Sequence, residues 1–155
     1  MSDKDIVGNE PTKVGSQVSA VLFACNINAV RSAMAEAMVK HAFPGKIFVD
    51  SCGVTPGLQD GFATAVMREI GLDMSAHEPK SFDDLDSGFY DLVISFSPEA
   101  HGVARALTQN IDCETVYWPI DNLANLTGSR EEMLRAYRRV RDDIRGRLRI
   151  YFGKE

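Results

Sequence analysis

Apolar residues along the chain occur in short runs that alternate with segments of helical periodicity. Residues 18–24 form a predominantly apolar run, as is typical of a strand buried on both faces of a parallel sheet. Further runs predict strands at 46–51, 89–95 and 114–118. The pattern therefore indicates a sheet whose strands are separated in sequence by helices.

The intervening segments carry helix start and stop signals. Helices are predicted at 31–43, 60–70, 98–109 and 129–151. Pro44 and Gly45 end the first helix, and Ser129 with Glu132 forms a capping box for the last one. Strands that alternate with helices predict a three-layer α/β/α sandwich with a central four-stranded parallel sheet, Rossmann-like in its winding.

Composition adds limits to this picture. A chain of 155 residues with 45% hydrophobic content predicts one domain, at 17–155, preceded by a flexible polar tail at 1–16. A formal net charge of −5 argues against nucleic-acid binding. No run approaches the ~20 apolar residues that a membrane helix needs, so no membrane partner is expected. The first residues show no signal peptide, and the three cysteines are unevenly spaced, which predicts a reduced, cytoplasmic setting.

The first strand runs directly into candidate chemistry. Cys25 precedes Arg31 by six positions, and Ser32 follows Arg31 at the start of a helix. A loop between a strand and a helix presents unpaired backbone amides and the positive end of the helix dipole, which together bind an oxyanion. The same groups and the Arg31 guanidinium stabilise a thiolate. A simpler interpretation is that Cys25 is a buried core residue at the end of a strand. Core packing alone, however, does not explain why a charged residue and a hydroxyl residue, Arg31 and Ser32, follow at the start of a helix.

These residues resemble the low-molecular-weight protein tyrosine phosphatases and the related thioredoxin-coupled arsenate reductases. Their shared loop is a Cys, five residues, an Arg and a Ser or Thr. The segments 34–37, 49–51, 71–77 and 90–94 also resemble the family, so the likeness covers about residue 18 to the C-terminus. The resemblance implies the phosphotyrosine protein phosphatase I fold.

The resemblance also implies roles for individual residues. Cys25 is the nucleophile and Arg31 the phosphate clamp, while Ser32 supports the thiolate. Asn28 adopts a left-handed backbone conformation and is hydrogen-bonded by Ser51. His77 helps to order the loop, and Trp118 lines the wall of an aryl pocket. The phosphate-binding set is Asn26, Ile27, Asn28, Ala29, Val30, Arg31 and Ser32.

The chain departs from the family pattern in two places. In the loop, Ile27 stands where Gly is usual and Val30 where many members have a second Cys. The family's general acid lies in an Asp-Pro dipeptide, whereas this chain has Asp121 followed by Asn122. We expect Asp121 to be the acid, although a shift of one residue would place Asn122 there.

The leading function that the resemblance implies is a metal-independent phosphatase without a cofactor. It would hydrolyse a phosphotyrosine protein or a small aryl phosphate through a cysteinyl-phosphate intermediate. Phosphate and other oxyanions are the expected ligands. The first alternative is an arsenate reductase, although residues 95–98, where the reductases carry a pair of cysteines, read Ser-Phe-Ser-Pro. The second is a noncatalytic phosphate-binding module.

Overall fold

The computed structural model describes residues 7–153, in which four helices alternate with four strands. The strands are β1 (Ala20–Ile27), β2 (Phe48–Thr55), β3 (Leu92–Ser95) and β4 (Glu114–Tyr117), and the helices are α1 (Arg31–Ala42), α2 (Gly61–Arg68), α3 (Pro98–Leu107) and α4 (Arg130–Phe152). Ser129 caps α4 through the predicted capping box with Glu132. The prediction of four helices and four strands in alternation is confirmed.

The strands form one parallel sheet in the order β2-β1-β3-β4. The connection through α1 leads from β1 to one edge, and the connection through α3 leads from β3 to the other. The strand order therefore reverses between β1 and β3, and ligands of such sheets bind at the carboxyl ends of the strands beside this point.

Two hydrophobic clusters cover the two faces of the sheet. Val21, Phe23 and Cys25 of β1 face the larger cluster, which includes buried residues of α1, α2 and α4. Ala20, Leu22 and Ala24 face the smaller cluster, to which α3 contributes Ala100 and Ala104. This alternation confirms the three-layer α/β/α sandwich.

Two strands extend beyond their predicted ends. β1 continues past residue 24 to Ile27, and β2 continues past residue 51 to Thr55, because Cys25 pairs with Gly53 and Ile27 with Thr55. Cys25 thus lies within β1 and does not follow it as predicted. Backbone pairing with a neighbouring strand is a tertiary property that the local apolar pattern does not report.

The N-terminal segment packs along β4. The side chain of Asn9 accepts a hydrogen bond from the Tyr117 amide, and the Thr12 amide donates one to the Glu114 carboxylate. Gly15 is buried against α4. The part of the predicted flexible tail from residue 9 to 15 is therefore held against the domain, and residues 1–6 lie outside the described range.

The helices of residues 7–153 are too short or too polar to cross a lipid bilayer.

Candidate active site

Cys25 is placed at the point where the strand order reverses. It lies on the sheet face covered by α1 and is only 1% exposed. Its Sγ atom lies 2.9 Å from the Ser32 hydroxyl oxygen in the first turn of α1. At this distance the hydroxyl can hydrogen-bond a thiolate at Cys25, which is the role that the resemblance implies for Ser32.

The Asn28 side chain connects the loop after β1 to its surroundings. Its amide nitrogen donates to the hydroxyls of Ser32 and Ser51, each at 2.9 Å. Its carbonyl oxygen accepts from the backbone amide of Lys80 at 3.0 Å. Asn28 and Ser51 are fully buried, so the network fixes the loop to β2 and α1.

The predicted left-handed backbone of Asn28 is wrong. Within residues 7–153 only glycines have a positive φ. Asn28 follows an extended residue of β1 and donates its backbone amide to Thr55 of β2 at 3.4 Å. Extension of the β1–β2 ladder therefore determines its backbone conformation.

Arg31 joins the loop to the ends of β3 and β4. Its Nη1 atom donates to the carbonyl oxygens of Phe96 at 2.9 Å and Ile120 at 3.0 Å. These are the only hydrogen bonds of this side chain within residues 7–153. The Nε and Nη2 atoms, which form the other edge of the guanidinium, remain available to two oxygens of one anion.

The loop amides are arranged differently from the prediction. The amide of Ala29 donates to the Ile27 carbonyl at 2.8 Å, and the same carbonyl oxygen lies 2.9 Å from Cys25 Sγ. A carbonyl oxygen only accepts hydrogen bonds, so in this conformation Cys25 is the S–H donor. The predicted ring of amides around a thiolate is therefore not formed here, because β1 holds Ile27 extended.

Two further residues support the loop, one of them absent from the sequence prediction. His77 Nε2 lies 3.0 Å from the Asn28 carbonyl oxygen, and its Nδ1 lies 3.9 Å from the Glu36 carboxylate. Glu36 is buried, accepts a hydrogen bond from Ser51 and forms an ion pair with Lys40. Its spacing of four residues from Ser32, on one face of α1, is the sequence signal that could have revealed it.

Gly53 lets two stretches of backbone approach each other. A Cβ atom at this position would lie 2.6 Å from the Asn28 amide nitrogen and 3.0 Å from the Asn26 carbonyl oxygen. The absence of a side chain at Gly53 therefore allows the loop to lie directly on β2.

The loop that carries Asp121 and Asn122, called the acid loop below, follows β4. It lies at the carboxyl ends of the strands, as the Cys25 loop does. The Ile120 carbonyl that Arg31 contacts immediately precedes Asp121, and the Asp121 side chain is exposed. The Asn122 side chain accepts from the Ala124 amide at 3.0 Å. Within the described residues Asp121 makes no hydrogen bond or ion pair, so its carboxyl group is available while Asn122 stabilises the loop.

Trp118 packs in the core. It is 2% exposed, and its ring centroid lies 6.4 Å from that of Phe96 and 6.2 Å from that of Tyr151. The predicted position in the wall of an aryl pocket does not agree with this burial. Trp118 instead belongs to the hydrophobic core and directly precedes the acid loop in the chain.

The other two cysteines lie apart from Cys25. Cys52 is buried in the smaller hydrophobic cluster, on the opposite face of the sheet, and burial raises the pKa of its thiol strongly. Burial also raises the pKa of Cys113, beside the start of β4, to about 11. Both thiols are therefore protonated near neutral pH.

Metal-ligating side chains do not cluster in the part of the chain that the structure describes: no three of its His, Cys, Asp and Glu residues come together as a metal site.

Sequence comparison finds relatives over most of the chain. Residues 20–153 match the family described as low molecular weight phosphotyrosine protein phosphatase. An arsenate reductase of Halalkalibacterium halodurans is 32% identical over 131 residues, which cover 84% of this chain and 93% of that protein.

Solved structures show the same fold. A tyrosine phosphatase of Erwinia amylovora superposes with a TM-score of 0.73 at 17% identity and covers 88% of this chain and 93% of its own. An arsenate reductase in the phosphate binding state superposes with a TM-score of 0.67 at 26% identity and covers 87% of this chain and 97% of its own. The chain belongs to the low molecular weight phosphotyrosine protein phosphatase family, as its Cys-to-Arg loop predicted.

Proposed function

We propose that this chain reduces arsenate through Cys25 and that an external thiol supplies the electrons. The observation that supports oxyanion chemistry is the contact of Cys25 Sγ with the Ser32 hydroxyl at 2.9 Å, beside the available edge of Arg31. The choice of arsenate is supported by relatives named arsenate reductase, one of which is 32% identical over 84% of this chain.

In the first step the Cys25 thiolate attacks arsenic(V). A sulfur–arsenic bond forms, and one arsenate oxygen takes up a proton and leaves as water. Ser32 stabilises the thiolate, and Nε and Nη2 of Arg31 hold two of the remaining oxygens. For this step the Ile27–Asn28 peptide has to rotate, because the Ile27 carbonyl oxygen faces the sulfur and would repel both the thiolate and the anion.

The second step transfers two electrons to arsenic. An external thiolate attacks Cys25 Sγ, the sulfur–arsenic bond breaks, and its electron pair remains on arsenic, which leaves as arsenite. A second external thiol then attacks the mixed disulfide and releases the Cys25 thiol. Overall, arsenate and two thiols give arsenite, one disulfide and water.

The positions of the other cysteines support an external thiol. Cys52 lies on the opposite face of the sheet, and Cys113 lies at the start of β4. After β3 the chain has Ser95 and Ser97, of which Ser97 caps α3 by accepting from the Ala100 amide. No second thiol of the described chain lies on the Cys25 face of the sheet.

A second candidate is the phosphatase predicted from the sequence, and the Asp121 position favours it. Asp121 lies after β4, next to Ile120, whose carbonyl Arg31 contacts, and its carboxyl group has no hydrogen-bond or ion-pair partner among residues 7–153. In this function Cys25 attacks phosphorus, Asp121 protonates the departing aryl oxygen, and water then releases phosphate. A general acid contributes ~10²–10⁴ in rate.

One pair of assays separates the two functions. Arsenite release is measured from arsenate with glutathione or dithiothreitol as reductant, and phenolate release is measured from p-nitrophenyl phosphate. Reductase function predicts thiol-dependent arsenite release that is abolished in Cys25→Ser and retained in Cys113→Ser. Arsenite release that persists in Cys25→Ser would contradict it.

The phosphatase arm has its own controls. A stoichiometric burst of phenolate that is lost in Cys25→Ser and slowed in Asp121→Asn, but unchanged in Asn122→Ala, would favour the phosphatase. If neither product forms while phosphate or arsenate still binds, the chain is a noncatalytic oxyanion-binding module and both enzymatic functions are excluded.

A further inference from the structure

A cavity opens between the C-terminal halves of α1 and α4. Its volume is about 250 Å³, and Val39 and Ala42 of α1 line one side of it. Val39 is eight residues along α1 from Arg31, which corresponds to roughly 12 Å at 1.5 Å per residue. This cavity is separate from the oxyanion site at the start of the same helix.

The lining combines apolar and cationic side chains. Its apolar part includes Met38, Phe43, Leu72, Leu148 and Phe152. Its polar members are His41, Arg145 and Arg149, and no Asp or Glu among residues 7–153 lines it. An apolar cavity with a few cationic groups suits a small ligand that is apolar over most of its surface and negatively charged at one end.

Arg145 combines a position at the cavity with the lack of an internal partner. Arg138 pairs with Glu69 at 2.8 Å, Arg141 with Asp142 at 2.8 Å and Arg147 with Asp143 at 3.0 Å. Arg145 is partly buried beside the cavity and makes no ion pair or hydrogen bond with any residue from 7 to 153. Its guanidinium is therefore available to a ligand carboxylate, which it can bind through two parallel hydrogen bonds.

We propose that this cavity binds a small amphipathic carboxylate, with the apolar chain or ring between α1 and α4 and the carboxylate on Arg145. The charge complementarity of the lining supports this class of ligand over a neutral apolar molecule. The carboxylate can come from a free metabolite or from an acyl chain released from lipid, because both present the same groups.

The test is isothermal titration calorimetry of the full chain with octanoate, and with octanol as the uncharged probe. We expect octanoate to bind with one site per chain and more tightly than octanol. Arg145→Gln should weaken octanoate binding by at least tenfold and leave octanol binding unchanged. Arg139→Gln removes an exposed arginine of α4 outside the cavity, so octanoate affinity should be retained.

A second variant tests the location without altering charge. Ala42→Met places a larger side chain at the cavity wall and should weaken both probes, while circular dichroism reports whether the fold is retained. Absence of octanoate binding at millimolar concentration, or binding that is equal in wild type, Arg145→Gln and Ala42→Met, would overturn the proposal. Phenylbutyrate and oleate, titrated in parallel, distinguish a small metabolite acid from a long acyl chain released from lipid.

This site does not depend on the proposed function. Cys25→Ser should bind octanoate with the affinity of wild type, since Cys25 lies at the other end of α1. Absence of arsenate reduction in the wild type, with octanoate binding retained, would contradict only the proposed function. Arsenate reduction by a wild type that does not bind octanoate would contradict only the cavity proposal.

Discussion

Arg31 Nη1 donates a hydrogen bond of 3.0 Å to the carbonyl oxygen of Ile120, which joins the helix that follows the Cys25 loop to the loop that carries Asp121. The same nitrogen contacts the Phe96 carbonyl at the end of β3. One edge of the guanidinium thus holds three chain segments together, and the other edge is available to an oxyanion.

This double use of Arg31 predicts that lysine cannot replace it. A lysine ammonium is a single point of charge and cannot hold both carbonyls and two anion oxygens. We expect Arg31→Lys to lower kcat by about 10²–10³ and to weaken phosphate binding in calorimetry. Arg135→Lys, on the exposed face of α4, is the matched control and should leave both unchanged. Wild-type turnover in Arg31→Lys would show that the two edges of the guanidinium are not both needed.

Gly53 provides a test of the loop geometry. In Gly53→Ala the new Cβ would meet the Asn28 amide nitrogen at 2.6 Å, so the loop or β2 has to move. We expect a loss of about 1–3 kcal/mol in the free energy of unfolding together with reduced activity. The control is Gly102→Ala in α3, where no atom lies within 4 Å of the added Cβ. It should gain about 0.5–1 kcal/mol, as measured by urea unfolding.

The ion pairs between α4 and the end of α2 predict a dependence of stability on pH. Hydrogen bonds from Arg138, with a further contribution from Arg141, lower the pKa of the Glu69 carboxyl from 4.5 to about 2. The charged carboxylate therefore stabilises the fold fully above pH 4.5, and this contribution is lost as the pH falls toward 2.

The corresponding measurement compares wild type with Glu69→Gln. The stability difference between them should be constant from pH 7 to 5 and should decrease between pH 4.5 and 2. Because Glu69 is solvent-accessible, salt should reduce the difference at pH 7. A difference that grows on acidification would contradict the pairing.

The placement of the thiols predicts the products of oxidation. Cys25 and Cys52 lie on opposite faces of the sheet, so oxidation should not join them. With hydrogen peroxide alone we expect a sulfenic acid at Cys25, and with glutathione present a mixed disulfide there. Mass spectrometry of intact and digested protein measures both. A disulfide between Cys25 and Cys52 as the main product would show that the strands rearrange. It would then favour electron transfer from a thiol of the chain itself over transfer from an external thiol.

The sequence alone determined the family and the parallel α/β sandwich, and it predicted the central site residues. These properties follow from local signals: apolar runs, helix caps and the spacing of Cys25, Arg31 and Ser32 within one loop. The capping box at Ser129 is an example in which four consecutive residues contain all the groups that the motif needs.

Only the tertiary structure decided how the loop is held. β1 extends to Ile27 by pairing with β2. His77 contacts both Asn28 and Glu36, and Arg31 contacts Phe96 and Ile120. These contacts join residues that are distant in sequence. The core position of Trp118 and the separation of Cys25 from Cys52 likewise depend on which sheet face each residue meets. A local pattern reports the period of a segment, whereas these contacts depend on the register between strands and on the packing of helices against them.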